Sequence, residues 1–283
     1  MEVPKYWGRV AAEIEDRKKN LYNLVAYRWS SVSMQDALAA AQRRLDELVA
    51  RVQSGERLPS YGYGEATPLR EPIVEELEHR GEIIGVITRN SYGALVLNAA
   101  RAMFVDIDVS VPERKGGFLA RLFGKGKPAP DPTLEVQQRI EEWARRNSRY
   151  GMRLYRTRAG LRVLFTSEVF DPTGTTEARI QEELGADPLY RRLCRAQKCF
   201  RARLTPKPWR VKMKNPPARW PFESQAHASR FETWQNKYDS AIQNFAVCAL
   251  ITTLNTEDVH PEVAPLLAIH DRWTKVGAEA PLA

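Results

Sequence analysis

Two aspartates separated by one residue, Asp106 and Asp108 in the segment AMFVDIDV, are the side chains whose types and spacing best suit chemistry. In an extended strand, residues two apart project from the same face. The two carboxylates are therefore expected side by side, with Val105, Ile107 and Val109 turned the other way into a core. Paired carboxylates repel unless a cation lies between them. A hard divalent ion, Mg²⁺ or Mn²⁺, takes carboxylate oxygens and keeps positions open for substrate phosphates, which is how such pairs support phosphoryl or nucleotidyl transfer. A structural role is the alternative: acids at strand ends accept turn hydrogen bonds or pair with arginine, here Arg101, Arg156 or Arg158.

Basic residues surround this pair in the sequence. Arg156, Arg158 and Arg162 fall on the next expected hairpin, where they are candidates to meet the phosphates that a metal at Asp106 and Asp108 would also hold. Asp171 or Glu168 could add a third acid. From 191 to 219 the chain carries eleven Lys and Arg residues and no Asp or Glu. Arg201, Arg203 and Arg210 in this run could neutralise the phosphates of a nucleic acid or nucleotide, and Phe200, Trp209 and Trp220 could stack on unpaired bases. The competing reading has Phe200 and Leu204 on a buried strand face, Arg201 and Arg203 on its solvated face, and the tryptophans plugging a core.

These residues need a scaffold. Alternating apolar positions at 10–14 and 21–29 around a polar turn at 16–20 imply a β-hairpin, followed by an amphipathic helix that begins after Ser33 and stops at Gly55. This hairpin and helix, residues 1–58, are expected to pack on a core at 73–214. Residues 55–72 read as an irregular connection, and 73–79 as a short helix. Then come three strands (EIIGVIT, ALVLN, AMFVDIDV), a Gly-, Pro- and Lys-rich insertion at 113–132, and a helix to about 149. Two strands (GMRLYRT, LRVLFTS), a helix broken at Gly185 to Pro188 and a strand in CFRARLT complete the core. From 103 to 204 the order is β-α-β-β-α-β. That order gives an α+β fold whose core is a split-βαβ, ferredoxin-like antiparallel sheet, four strands with both helices on one face. Residues 215–283 read as a helical extension.

Composition narrows the function classes. With 43% hydrophobic and 28% charged residues the chain is globular, and its longest apolar stretch is too short to cross a bilayer, so no membrane association is expected. The first twenty residues scatter charge without an apolar signal region, which favours a cytoplasmic location. Three cysteines, Cys194, Cys199 and Cys248, suit buried thiols better than a disulfide framework or a zinc site. The four histidines show no metal-binding spacing. Dinucleotide, P-loop and hydrolase-elbow motifs are absent.

In strand order and in the VDIDV motif, residues 82–211 resemble the palm and primase-polymerase class. That resemblance implies Asp106 and Asp108 as metal ligands in nucleotidyl transfer. It also implies a histidine after the glycine turn of the later hairpin, where TRAGLRV instead presents Arg162. The phrases RNSYGALVLN, YRTRAGLRV and CFRARLTPKPWR are similar to those of widespread bacterial proteins of unassigned function. The expectation is a divalent-metal-dependent phosphoryl- or nucleotidyl-transfer enzyme, with a non-catalytic nucleic-acid-binding or assembly protein as the alternative.

Overall fold

The alternation at the start of the chain does build a hairpin. β1 (Tyr6–Glu15) and β2 (Leu21–Ser30) pair antiparallel, and Asp16 Oδ1 closes the turn by accepting from the backbone N–H groups of Lys18 and Asn20. Helix α1 (Met34–Gln53) begins at Ser33, whose hydroxyl accepts from the Asp36 N–H, and buries Ala37, Ala41, Leu45 and Val52 at helical spacing. Its partners there are Leu24 and Ala26 of β2. The computed structural model describes residues 1–56, 68–109 and 132–283. Most of the connection expected at 55–72, and the insertion at 113–132 apart from Pro132, lie outside these residues.

Two four-stranded antiparallel sheets follow. The first has the order β3-β4-β5-β9, from β3 (Ile73–His79), β4 (Glu82–Arg89), β5 (Leu95–Ala99) and β9 (Phe200–Arg203). The second has the order β10-β7-β8-β6, from β6 (Phe104–Asp108), β7 (Met152–Thr157), β8 (Gly160–Phe165) and β10 (Cys248–Leu254). The described helices are α1, α2 (Pro132–Arg146), α3 (Thr175–Glu183), α4 (Pro188–Gln197), α5 (Gln225–Ala241) and α6 (Val263–Thr274). The fold is thus mixed α+β with antiparallel sheets, and the expected β-α-β-β-α-β order is present from β6 to β9.

Three details differ from the sequence reading. Residues 73–79 are strand: IVEELEH pairs with β4 through two register shifts, so its acids follow no clean alternation. β9 pairs with β5, so one sheet holds three of the four split-βαβ strands, β6, β7 and β8. β10, from the segment expected to be a helical extension, fills the edge beside β7. The outer edge of β6 is covered by α4, where the Asp187 N–H donates to the Asp106 carbonyl at 3.1 Å and Tyr190 Oη to the Phe104 carbonyl at 2.6 Å. These bonds satisfy strand carbonyls that would otherwise lack partners.

One continuous core joins the two sheets, running from Ile87 and Leu97 through Phe104, Val105 and Val163 to Ile140 and Trp143 of α2 and Leu266 of α6. Register then assigns the faces of the second sheet. Asp106 lies opposite Arg162, and Arg162 opposite Tyr155, so these three share one face with Asp108; Ile107, Leu161 and Arg156 share the other.

Candidate anion-binding site

Asp106 and Asp108 leave the same face of β6, but they meet different surroundings. Asp106 accepts a two-point contact from Arg162, Nε to Oδ1 at 2.5 Å and Nη2 to Oδ2 at 2.8 Å. Arg162 is only 1% exposed, whereas the Asp106 side chain is 32% exposed. Burial works against the Arg162 charge, but the Asp106 carboxylate more than offsets it, so the guanidinium is held more firmly protonated than usual. The third nitrogen, Nη1, donates to the Arg203 carbonyl at 3.0 Å and faces His270 Nε2 at 3.3 Å.

His270, one of the four histidines without metal-binding spacing, is the hub of this face. It is fully buried, and burial, opposed by its hydrogen bond to Asp271 and reinforced by Arg162, lowers its pKa. The imidazole is therefore neutral at pH 7, and because arginine can only donate, Nε2 is the acceptor and Nδ1–H donates to Asp271 Oδ1 at 2.8 Å. Asp271 also accepts from Tyr155 Oη at 2.9 Å and from Arg153 Nη1 at 2.8 Å. A chain of polar groups, buried at Arg162 and His270 and reaching solvent at both ends, thus runs from Asp106 to Asp271.

Asp108, two residues further along β6, is exposed and lies opposite Gly160. A β-carbon at Gly160 would lie 2.1 Å from the Ile107 carbonyl oxygen, so only glycine lets β8 approach β6 here. No side chain stands across from Asp108. Its charge reaches Lys207 and Arg210, just beyond β9, whose own cationic neighbours are Arg203 at the end of β9 and, for Arg210, Arg158 of the β7–β8 turn. Burial, then the neighbouring Arg162, lowers the pKa of Arg203; burial, then Arg203 and Arg210, lowers that of Lys207; burial, then Arg203 and Arg158, lowers that of Arg210. Asp106 and Asp108 act the other way on Lys207, too weakly to restore it. Among the described residues none of these four cations makes an ion pair. Arg210 Nη1 is buried without a hydrogen-bond partner among the described residues.

Trp209, between Lys207 and Arg210 in the chain, is 52% exposed. Its ring meets Tyr92 edge-on at 5.4 Å, and Lys207 Nζ lies 5.5 Å from its centroid. Tyr92 reaches it from the turn after β4, closed by Gly93 at φ +90, where a β-carbon would run into the Trp234 ring. The result is an exposed indole face with Lys207 beside it, Lys207 in turn belonging to the cations that repel one another.

Other expected site residues lie elsewhere. Arg201 is 8% exposed: it donates twice to Glu71 at 2.9 Å and to Asn98 Oδ1 at 2.5 Å, while Thr88 Oγ1 donates to Glu71. It does not sit on a solvated strand face. Arg156 lies on the sheet face opposite Asp106 and Arg162. Phe200 is fully buried, and Trp220 packs on Trp7. Asp171 accepts from the N–H and hydroxyl of Thr173 in a local turn. All three thiols are buried and free, and burial pushes Cys194 and Cys248 up to about 11 and Cys199 to about 12, leaving them protonated and inert at neutral pH.

A divalent ion fits these donors poorly. Both Asp106 oxygens are bound by a guanidinium, and Mg²⁺ at this pair would lie against that fixed positive charge with Asp108 as its one uncommitted ligand. Among the described residues no group of three or more His, Cys, Asp or Glu is placed to hold a metal. None of their helices is long and apolar enough to cross a membrane. No protein-family profile, curated protein or solved structure matches the chain.

Proposed function

We propose that the protein binds single-stranded nucleic acid, with Arg158, Arg203, Lys207 and Arg210 taking backbone phosphates and Trp209 stacking on an unpaired base. The observation that carries this reading is the group formed by half-buried Arg203, Lys207 and Arg210, each held below its usual basicity, and exposed Arg158 beside them, none with a carboxylate ion-pair partner among the described residues. Keeping like charges together in a protein costs free energy, and a bound polyanion removes that cost. The exposed indole adds a reason to favour a single strand, because a stacked base contributes about 1–3 kcal/mol and duplex bases are not free to stack. Metal-dependent transfer has less support, since its first expected ligand, Asp106, is tied to Arg162.

Fluorescence anisotropy with a labelled single-stranded oligonucleotide and the matching duplex tests this. The single strand should bind more tightly, and Trp209→Ala should weaken it by about tenfold while leaving duplex binding nearly unchanged. EDTA should alter neither. No binding of either oligonucleotide at low salt would remove the proposal, and binding abolished by EDTA would return the Asp pair to a metal role.

A further inference from the structure

Behind the Tyr92 turn lies a cavity of about 300 Å³ that the strand-binding reading does not use. It opens between the entry to β3, the turn at Asn90 and Ser91, the segment around Trp220, and α5. We propose that it binds a planar ring carrying an anionic group, specifically a nucleoside monophosphate or the terminal nucleotide of a strand.

Its lining supports both halves of such a ligand. Trp220, Phe222 and Phe231 provide aromatic wall, with the two phenylalanine rings 5.1 Å apart. Arg70, Arg89 and Arg219 provide positive charge. Arg70 already stacks 3.8 Å over the Tyr27 ring. Arg89 is the unusual one: it is 7% exposed, its hydrogen bond runs from Nη1 to the Gly93 carbonyl at 2.7 Å, and it makes no ion pair among the described residues. Burial lowers its pKa, and Asp239, acting from beyond ion-pair distance, does not compensate. A nearly buried guanidinium with donors to spare is costly unless an anion reaches it.

The one carboxylate in the lining offers no such relief, because Glu71 is bound by Arg201 and Thr88. Arg219 is exposed and likewise without an ion-pair partner among the described residues. The Asn90 side-chain oxygen is occupied by the N–H groups of Tyr92 and Ala94, which leaves its amide NH₂ as a donor toward the cavity. Amide donors suit the acceptor-rich edges of nucleobases. The volume lies at the lower end for small-molecule sites, matching a mononucleotide better than a larger cofactor.

Calorimetric titration of the full chain with adenosine monophosphate, adenosine, inorganic phosphate, 4-hydroxybenzoate and a 5′-phosphorylated dinucleotide tests this site. The monophosphate should bind at least about tenfold more tightly than adenosine or phosphate alone, because neither carries both the ring and the charge. Arg219→Ala should weaken it by about fivefold or more without changing the melting temperature, and Phe222→Ala should weaken it as well. Lys207→Ala, on the strand-binding surface, should leave it unchanged, which separates failure here from failure of the proposed function. Dinucleotide binding that competes with the monophosphate assigns the site to strand ends; monophosphate binding alone assigns it to free nucleotides. The proposal is overturned by the absence of heat with every probe, by 4-hydroxybenzoate binding as tightly as the monophosphate, or by affinity indifferent to Arg219→Ala.

Discussion

Arg201 and Arg203 belong to one short strand, two residues apart in a single basic run, yet they end in opposite circumstances. Arg201 is closed into a network with Glu71, Asn98 and Thr88, and its charge is stabilised by that carboxylate despite burial. Arg203 finds a backbone carbonyl at Thr205 and more positive charge beyond it. The Asp pair repeats the contrast: Asp106 is bound from within by Arg162, and Asp108 stands open. A charged residue in this fold is structural where a buried partner has been supplied and available where none has. The available set gathers where the end of β9, in the first sheet, meets one end of the second.

Removing a partner from the closed networks should produce the largest effects. Arg201→Ala leaves Glu71 buried and unpaired, with an expected loss of about 3–5 kcal/mol in urea unfolding. A loss below 1 kcal/mol would show that the network does not hold the sheet. Arg162→Ala should cost less, about 2–3 kcal/mol, because Asp106 keeps contact with water, although His270 Nε2 loses its donor.

Acid provides a third test of the closed side. His270 has a folded-state pKa below its ordinary 6.5, so the unfolded chain binds more protons as the pH falls. Its contribution is complete above pH 6.5 and declines below that value, by up to about 2 kcal/mol at pH 5. His270→Gln should flatten this part of the stability profile; an unchanged slope would mean that the imidazole is not held neutral. On the open side, Lys207→Ala and Arg210→Ala should change stability by less than about 0.5 kcal/mol in either direction, since relief of repulsion offsets any lost packing.

The α+β class, the opening hairpin, the α1 boundary at Ser33 and most strands were legible because each depends on local alternation or a cap. The pairing that shapes the candidate site was not. Strand alternation put Asp106 and Asp108 on one face, but Arg162 became the partner of Asp106 through β6–β8 register, a contact between positions 56 apart. Arg201 was expected on a solvated face because alternation separates it from Phe200. In the structure both faces of β9 are covered, and Phe200, Arg201 and Ala202 are all buried.

β3 and β10 gave weak signals since register shifts interrupt each of them. His270 carried a usable signal: it continues the buried stripe of α6 that includes Val263, Leu266, Leu267 and Thr274. A histidine in such a stripe, followed directly by an aspartate, marks a buried polar contact before its partner is known.

The salt dependence of single-strand binding tests the division between closed and open charges most directly. For the Lys207→Ala/Arg210→Ala double variant, the slope of log affinity against log salt should become shallower by about 1.4, or 0.7 for each lost phosphate contact. Asp106→Asn should leave the slope unchanged at a temperature where the variant remains folded. An unchanged slope in the double variant, or a changed one in Asp106→Asn, would contradict the assignment of these cations to phosphate and of Asp106 to the framework.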